Sequence, residues 1–112
     1  MISRHWKGIV RRDLADGYVS HLEEETFPQL ASLAGFVRAT ILRRDVEGGT
    51  EFMIVTLWDS LAAIKAFAGA DIEAAVVPDS VQEMMLAYDR RASHYEVVAS
   101  YDSGRTAGPD VR

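Results

Sequence analysis

The apolar positions of this chain change period along its length, and the clearest signal lies near the middle. Two runs, Phe36 to Arg44 and Thr50 to Trp58, are rich in β-branched and aromatic residues and flank Asp45-Val46-Glu47-Gly48-Gly49. Such runs around a Gly-Gly reversal predict an antiparallel hairpin. Phe52, Ile54 and Trp58 point to one side of it, and Met53, Val55 and Leu57 to the other. A strand with one wet face alternates more cleanly, so both faces of this hairpin are expected to be covered. Ile2 to Val10 reads as an earlier strand, with Ile2, Arg4, Trp6, Gly8 and Val10 on one face and Ser3, His5, Lys7 and Ile9 on the other. Ser93 to Ala99 reads as the last strand.

Helical periodicity fills the intervals. Asp13 is placed to cap a helix through about Thr26, on which Leu14, Ala15, Tyr18, Val19 and Leu22 share one arc, with His21 and Glu25 at its edge. Pro28 is expected to break or restart that helix, and Pro28 to Leu33 to form a short second piece closed by Gly35. After Trp58, Asp59 or Ser60 caps a helix carrying Leu61, Ile64, Phe67 and Ala68, which Gly69 ends. Asp71 to Val77 reads as a turn stopped by Pro78. Ser80-Val81-Gln82-Glu83 is a capping box, and Val81, Met84, Met85 and Tyr88 follow it at helical spacing.

The order predicts an α+β, ferredoxin-like βαββαβ fold with a four-stranded antiparallel sheet in the order 4-1-3-2. Helices cover only one face of such a sheet. The economical cover for the other apolar face is a second copy of the chain, so a homodimer with two sheets packed face to face, a dimeric α+β barrel, is expected. Residues 1–99 form the domain. Residues 100–112 have turn and linker composition and are expected to be a flexible tail.

Composition narrows the function classes. A length of 112 residues suits one domain. The formal charge of −5, without a basic stripe, argues against a nucleic-acid surface. With no cysteine, disulfides, thiolate metal sites and cysteine nucleophiles are excluded. No signal-peptide core follows Met1, and no run approaches the roughly 18 residues that span a membrane, so a cytoplasmic protein without membrane contact is the default.

The chain resembles the antibiotic biosynthesis monooxygenase-like family of dimeric α+β barrels over roughly residues 2–99. The resemblance rests on the βαββαβ order, on Pro28, Leu30, Leu33, Gly35 and Phe36, on Thr56-Leu57-Trp58-Asp59-Ser60, and on Ala66-Phe67. It implies a homodimer with a pocket in each subunit between helices and sheet. It also implies activities that include cofactor-free oxidation of aromatic polyketide phenols to quinones, and haem degradation. In the haem-degrading branch, the residue that shapes the haem would fall at Phe67, the proximal histidine at Val77, and the pocket asparagine near Trp6. All three positions depart from that pattern, so haem cleavage by the usual arrangement is not expected, nor is any other cofactor.

Within that frame His94, His5 and His21 are the candidate general bases, since imidazole titrates near neutral pH and suits removal of a phenolic proton. Trp6, Tyr18, Trp58, Phe67 and Tyr95 are candidate walls for an aromatic substrate, and Arg38, or alternatively Arg4, is placed to stabilise the developing anion. The bland alternatives are cross-strand histidines at a dimer interface and a rim position for His21. His5, His94 and a carboxylate such as Glu96 or Glu51 would make a weak metal set, and no metal is expected. Glu23-Glu24-Glu25 reads as a solvated flank, and Met84 and Met85 read as core. No nucleophile triad, P-loop or dinucleotide glycine pattern is present. The expected function is monooxygenase-like oxidation of a small aromatic or polyphenolic compound. The alternatives are a non-catalytic ligand-binding or stress-response module and an isomerase on the same scaffold.

Overall fold

The computed structural model describes residues 1–104, so the end of the expected tail, 105–112, lies outside the described residues. Five strands form one antiparallel sheet: β1 (Ile2–Arg11), β2 (Phe36–Val46), β3 (Gly49–Trp58), β4 (Met85–Tyr88) and β5 (Ser93–Glu96). The hairpin is as the sequence predicts but tighter, with Val46 already paired to Gly49 and Gly48 at φ +85° in the reversal. β1 lies between β3 and the two short strands, in register from Ile2–Trp58 to Arg11–Gly49.

The sheet corrects the four-stranded expectation at one place. β5 pairs only with Ile2 to His5 of β1, and the rest of that edge, Gly8 to Val10, is paired by β4. An unpaired strand edge leaves backbone donors and acceptors unmet, so the long β1 is completed by two short strands where one was expected. The 4-1-3-2 layout survives, with its fourth position shared. The same demand overrides the helical spacing after the capping box. The helix α4 is only Asp79–Gln82, and the chain is already a strand by Met85, with the Arg11 amide donating to Met84 O at 3.0 Å.

One helical expectation also changes and another is narrowed. Asp13 lies in a 3₁₀ turn, Arg12–Leu14, and its side chain caps nothing; α1 (Ala15–His21) starts after it. Of the two outcomes expected at Pro28, a break and a restart, the structure has the restart. A π turn over Leu22–Thr26 lets the Phe27 amide bond back five residues to Leu22 O, and the shifted register seats Pro28 in the first turn of α2 (Phe27–Ala31), where a missing N–H costs nothing. α3 (Leu61–Ala68) follows the hairpin, with Ser60 Oγ accepting from the Ala63 amide at 3.2 Å as expected. Gly35 turns the chain from α2 into β2 at φ +87°, and a Cβ there would stand 2.5 Å from Ala63 Cβ. Only glycine satisfies both the backbone and this approach of α3.

The buried core has two parts. Val10, Ala15, Tyr18, Leu22, Phe52 and Val81 form one, and Leu30, Trp58 and Ile64 the other. All lie on the helix side of the sheet. The opposite face carries Ile9, Met53, Val55 and Leu57, over which no helix of the described chain passes, together with the exposed Leu42, Leu86 and Tyr95.

Candidate functional site

A cavity of about 430 Å³ opens between the helices and the helix side of the sheet, taking in members of both core clusters. β1 contributes Arg4 and Trp6, β3 Ile54 and Thr56, and α1 with the π turn Tyr18, Leu22 and Thr26. Phe27, Gln29, Leu30, Ser32 and Leu33 continue that wall, Ala66 and Phe67 come from α3, and Val76, Val77, Pro78 and Val81 close the far side. Most of this lining is apolar, as small-molecule sites usually are.

The placement of Trp6 depends on a neighbour that lacks a side chain. A Cβ on Gly8 would stand 2.9 Å from Trp6 Cη2, so glycine two residues along the same face lets the indole lie over the strand. The indole N–H donates to Asp89 O at 2.7 Å, fixing the ring. Tyr18 packs edge-on against Phe52, ring centroids 4.9 Å apart.

Among the described residues Arg4 is the one cation in the lining, and it is only 5% exposed. Its guanidinium lies 5.6 Å from the centroid of Phe67 and donates to Ile72 O, to Ala74 O at 2.9 Å and to His94 Nε2 at 2.8 Å. Burial lowers its pKa from the ordinary arginine value, yet an arginine keeps its proton at any physiological pH. The segment it holds, Asp71 to Pro78, is gripped from outside as well. Arg91 reaches Asp71 at 3.1 Å and Glu73 at 3.0 Å, and the Ala92 amide donates to Glu73 O at 2.7 Å.

The sequence-derived candidates divide by face. Trp6, Tyr18 and Phe67 line the cavity. Trp58 lies behind it, stacked on Phe67 at 5.8 Å with its indole N–H donating to Thr56 Oγ1 at 2.9 Å. Register puts His94 opposite Arg4 and His5 opposite Ser93, so the two histidines lie on opposite faces of the sheet. His5 and Tyr95 meet on the open face, rings 4.9 Å apart, and Arg38 is exposed on that face opposite Leu57. The His5–His94 metal set therefore cannot assemble, and no cluster of metal-ligating side chains occurs among the described residues. His21 Nδ1 pairs with Glu25 at 2.6 Å and does not line the cavity.

His94 supports Arg4. Because arginine only donates, Nε2 must accept, which puts the ring proton on Nδ1. Burial lowers its pKa first and the Arg4 charge lowers it further, against a smaller opposing pull from Glu73. In the unfolded chain the imidazole titrates near 6.5. As pH falls below that value the unfolded chain takes a proton that the folded one still refuses, so stability drops with acidification. We expect the wild-type advantage in Tm over His94→Gln, which keeps an acceptor but cannot titrate, to shrink between about pH 7.5 and about pH 5. A gap that is constant with pH would show that His94 titrates as in the unfolded chain.

Sequence reading passes over Thr26, Gln29, Val76 and Pro78. The first two extend the Tyr18–Leu22 stripe once the π turn is counted, a shift that uniform helical spacing hides. Arg4 is offered there only as an alternative to Arg38.

A family model for antibiotic biosynthesis monooxygenase matches residues 8–78, well over half of the chain. The chain belongs to that family. Among solved structures, a Bacillus cereus protein described as a candidate antibiotic biosynthesis monooxygenase is similar, at 16% identity and TM-score 0.64, over 91% of this chain and 97% of that one. A Deinococcus radiodurans protein described in the same words has 13% identity and TM-score 0.62, over 91% and 97%. MhuD, solved as a variant with two manganese protoporphyrin IX molecules per active site, has 19% identity and TM-score 0.54, over 91% and 99%. At such identities these likenesses establish the antibiotic biosynthesis monooxygenase fold alone. No curated protein matches the chain.

Proposed function

We propose that this protein is a monooxygenase-like enzyme that oxidises a small aromatic or polyphenolic compound in the cavity, as a homodimer joined through its open sheet faces. The observation that carries the reading is Arg4, the single buried cation among the described residues, set in an otherwise largely apolar, aromatic wall. A cation in a dry site favours an anion there far more than water does. Arg4 would stabilise the phenolate or enolate that the substrate forms by giving up a proton to solvent water, and that electron-rich anion reduces dioxygen. For an anthrone the step balances as follows: the ring CH2 becomes C=O, one atom of O2 becomes the carbonyl oxygen, and the other leaves as water with both hydrogens. No separate reductant is needed.

Haem does not enter this reading. Val77 lines the cavity where the family's haem-degrading members would carry a histidine, and no lining residue among those described is histidine, cysteine or methionine. Tyr18 is held protonated by burial.

One observation favours a second reading, a non-catalytic module that binds a small aromatic compound. The described lining contains no histidine and no carboxylate, so no resident base faces the ligand. The two readings part on oxygen uptake. Incubation with anthrone under air should give quinone absorbance with one O2 consumed per anthrone and no peroxide accumulating, whereas a simple hydroquinone, a two-electron donor, should give its quinone with one peroxide per O2. Binding of these compounds with no uptake above the uncatalysed rate would leave the second reading standing.

A further inference from the structure

The hydroxyl of Tyr18 has no use in the free chain. Tyr18 is 2% exposed, yet its oxygen makes no hydrogen bond among the described residues. Nor does it belong to the sealed polar atoms, since no buried side-chain oxygen or nitrogen there is left both enclosed and unpartnered. Tyr18 is among the residues that line the cavity, and the little surface it keeps leaves that oxygen accessible. Its ring needs no hydroxyl for packing against Phe52, and a phenylalanine would fill that place equally well. Polar groups in apolar walls fix the orientation of what binds there.

We propose that Tyr18 is a ligand-orienting residue whose hydroxyl donates to an acceptor oxygen of the bound aromatic molecule, so that the cavity selects planar compounds carrying a carbonyl, enolate or phenolate oxygen over plain hydrocarbons. This deepens the reading given above and rests on it for the aromatic class of the ligand. Burial raises the tyrosine pKa, so the phenol remains a donor across the physiological range and does not serve as a base. Arg4, in the same lining, has three of its five N–H groups committed to protein acceptors. The uncharged donor on α1 and the cation on β1 therefore enter the cavity from different elements. A molecule with two oxygens across a fused ring system suits that arrangement, and a hydrocarbon satisfies neither donor.

The test uses the whole chain, Tyr18→Phe, and two ring-matched probes, 1,4-naphthoquinone and naphthalene. The absence of cysteine keeps the quinone from adding to thiols. Binding is followed by quenching of tryptophan fluorescence. We expect the wild type to prefer the quinone, and Tyr18→Phe to lose about tenfold of that preference with naphthalene affinity unchanged, the size expected for one hydrogen bond. Its Tm should be unchanged or higher. An unaltered preference would overturn the proposal, and so would a Tm lowered by more than about 3 °C, which would place the hydroxyl's partner inside the free protein. Loss of preference without oxygen uptake by either protein would leave Tyr18 in this role and remove the oxygenase reading alone.

Discussion

Arg4→Met should lower the stability of the free protein by about 2–4 kcal/mol and remove oxygen uptake with anthrone. Methionine fills most of the arginine's volume, so the effect is not mainly a cavity effect. Three acceptors lose their donor together: Ile72 O, Ala74 O and His94 Nε2. Unpaired buried acceptors cost about 1–3 kcal/mol each when nothing replaces the donor, and the His94 ring can recover part of this by changing tautomer. The Phe67 ring also loses the cation above it. Urea unfolding and an oxygen electrode read the two consequences separately. Arg4→Lys keeps the charge but not the fork, so it should retain part of the activity and recover little of the stability. If Arg4→Met were as stable as wild type, to within about 0.5 kcal/mol, Ile72 O and Ala74 O would have to be satisfied by water, and the account of Arg4 as a latch on the 71–78 segment would fail.

The second large effect belongs to the other side of the sheet. Val55 sits in mid-strand between His5 of β1 and Thr40 of β2, on the face that no helix of the described chain covers. If two copies meet there, Val55→Asp places a carboxylate in a dry interface. An unpaired buried charge costs about 3–5 kcal/mol, a weakening of association by a hundredfold or more. Sedimentation at micromolar concentration should then find single chains of unchanged far-ultraviolet circular dichroism, against dimers for the wild type. A dimer that survives Val55→Asp would put the contact on another surface.

How legible all this was in the sequence varied with the length of each element. The hairpin could be read because strands of eleven and ten residues give alternation enough room to show, and because glycine marks the reversal. Met85 to Tyr88 could not, since four residues fit either period, and what makes them a strand is the free edge of β1 many residues away. The site was legible where a side chain's face follows from its own strand or helix: Trp6, Tyr18 and Phe67 all lie where their periodicity puts them. It was not legible where register decides. His94 differs from His5 in nothing local, yet pairing with Arg4 turns it to the helix side while His5 faces out. A buried arginine is harder still, because arginine in a sequence reads as solvated, and only tertiary acceptors, here Ile72 O and Ala74 O, justify its burial.

The latch around Arg4 also bears on when the hollow forms. Its three partners lie 68, 70 and 90 positions along the chain, whereas the hairpin and the helices draw mainly on near neighbours. Distant closures are entropically the slowest to make. Closing the pocket is therefore expected to be a late step of folding, and an occupant of the finished hollow should slow unfolding without speeding folding.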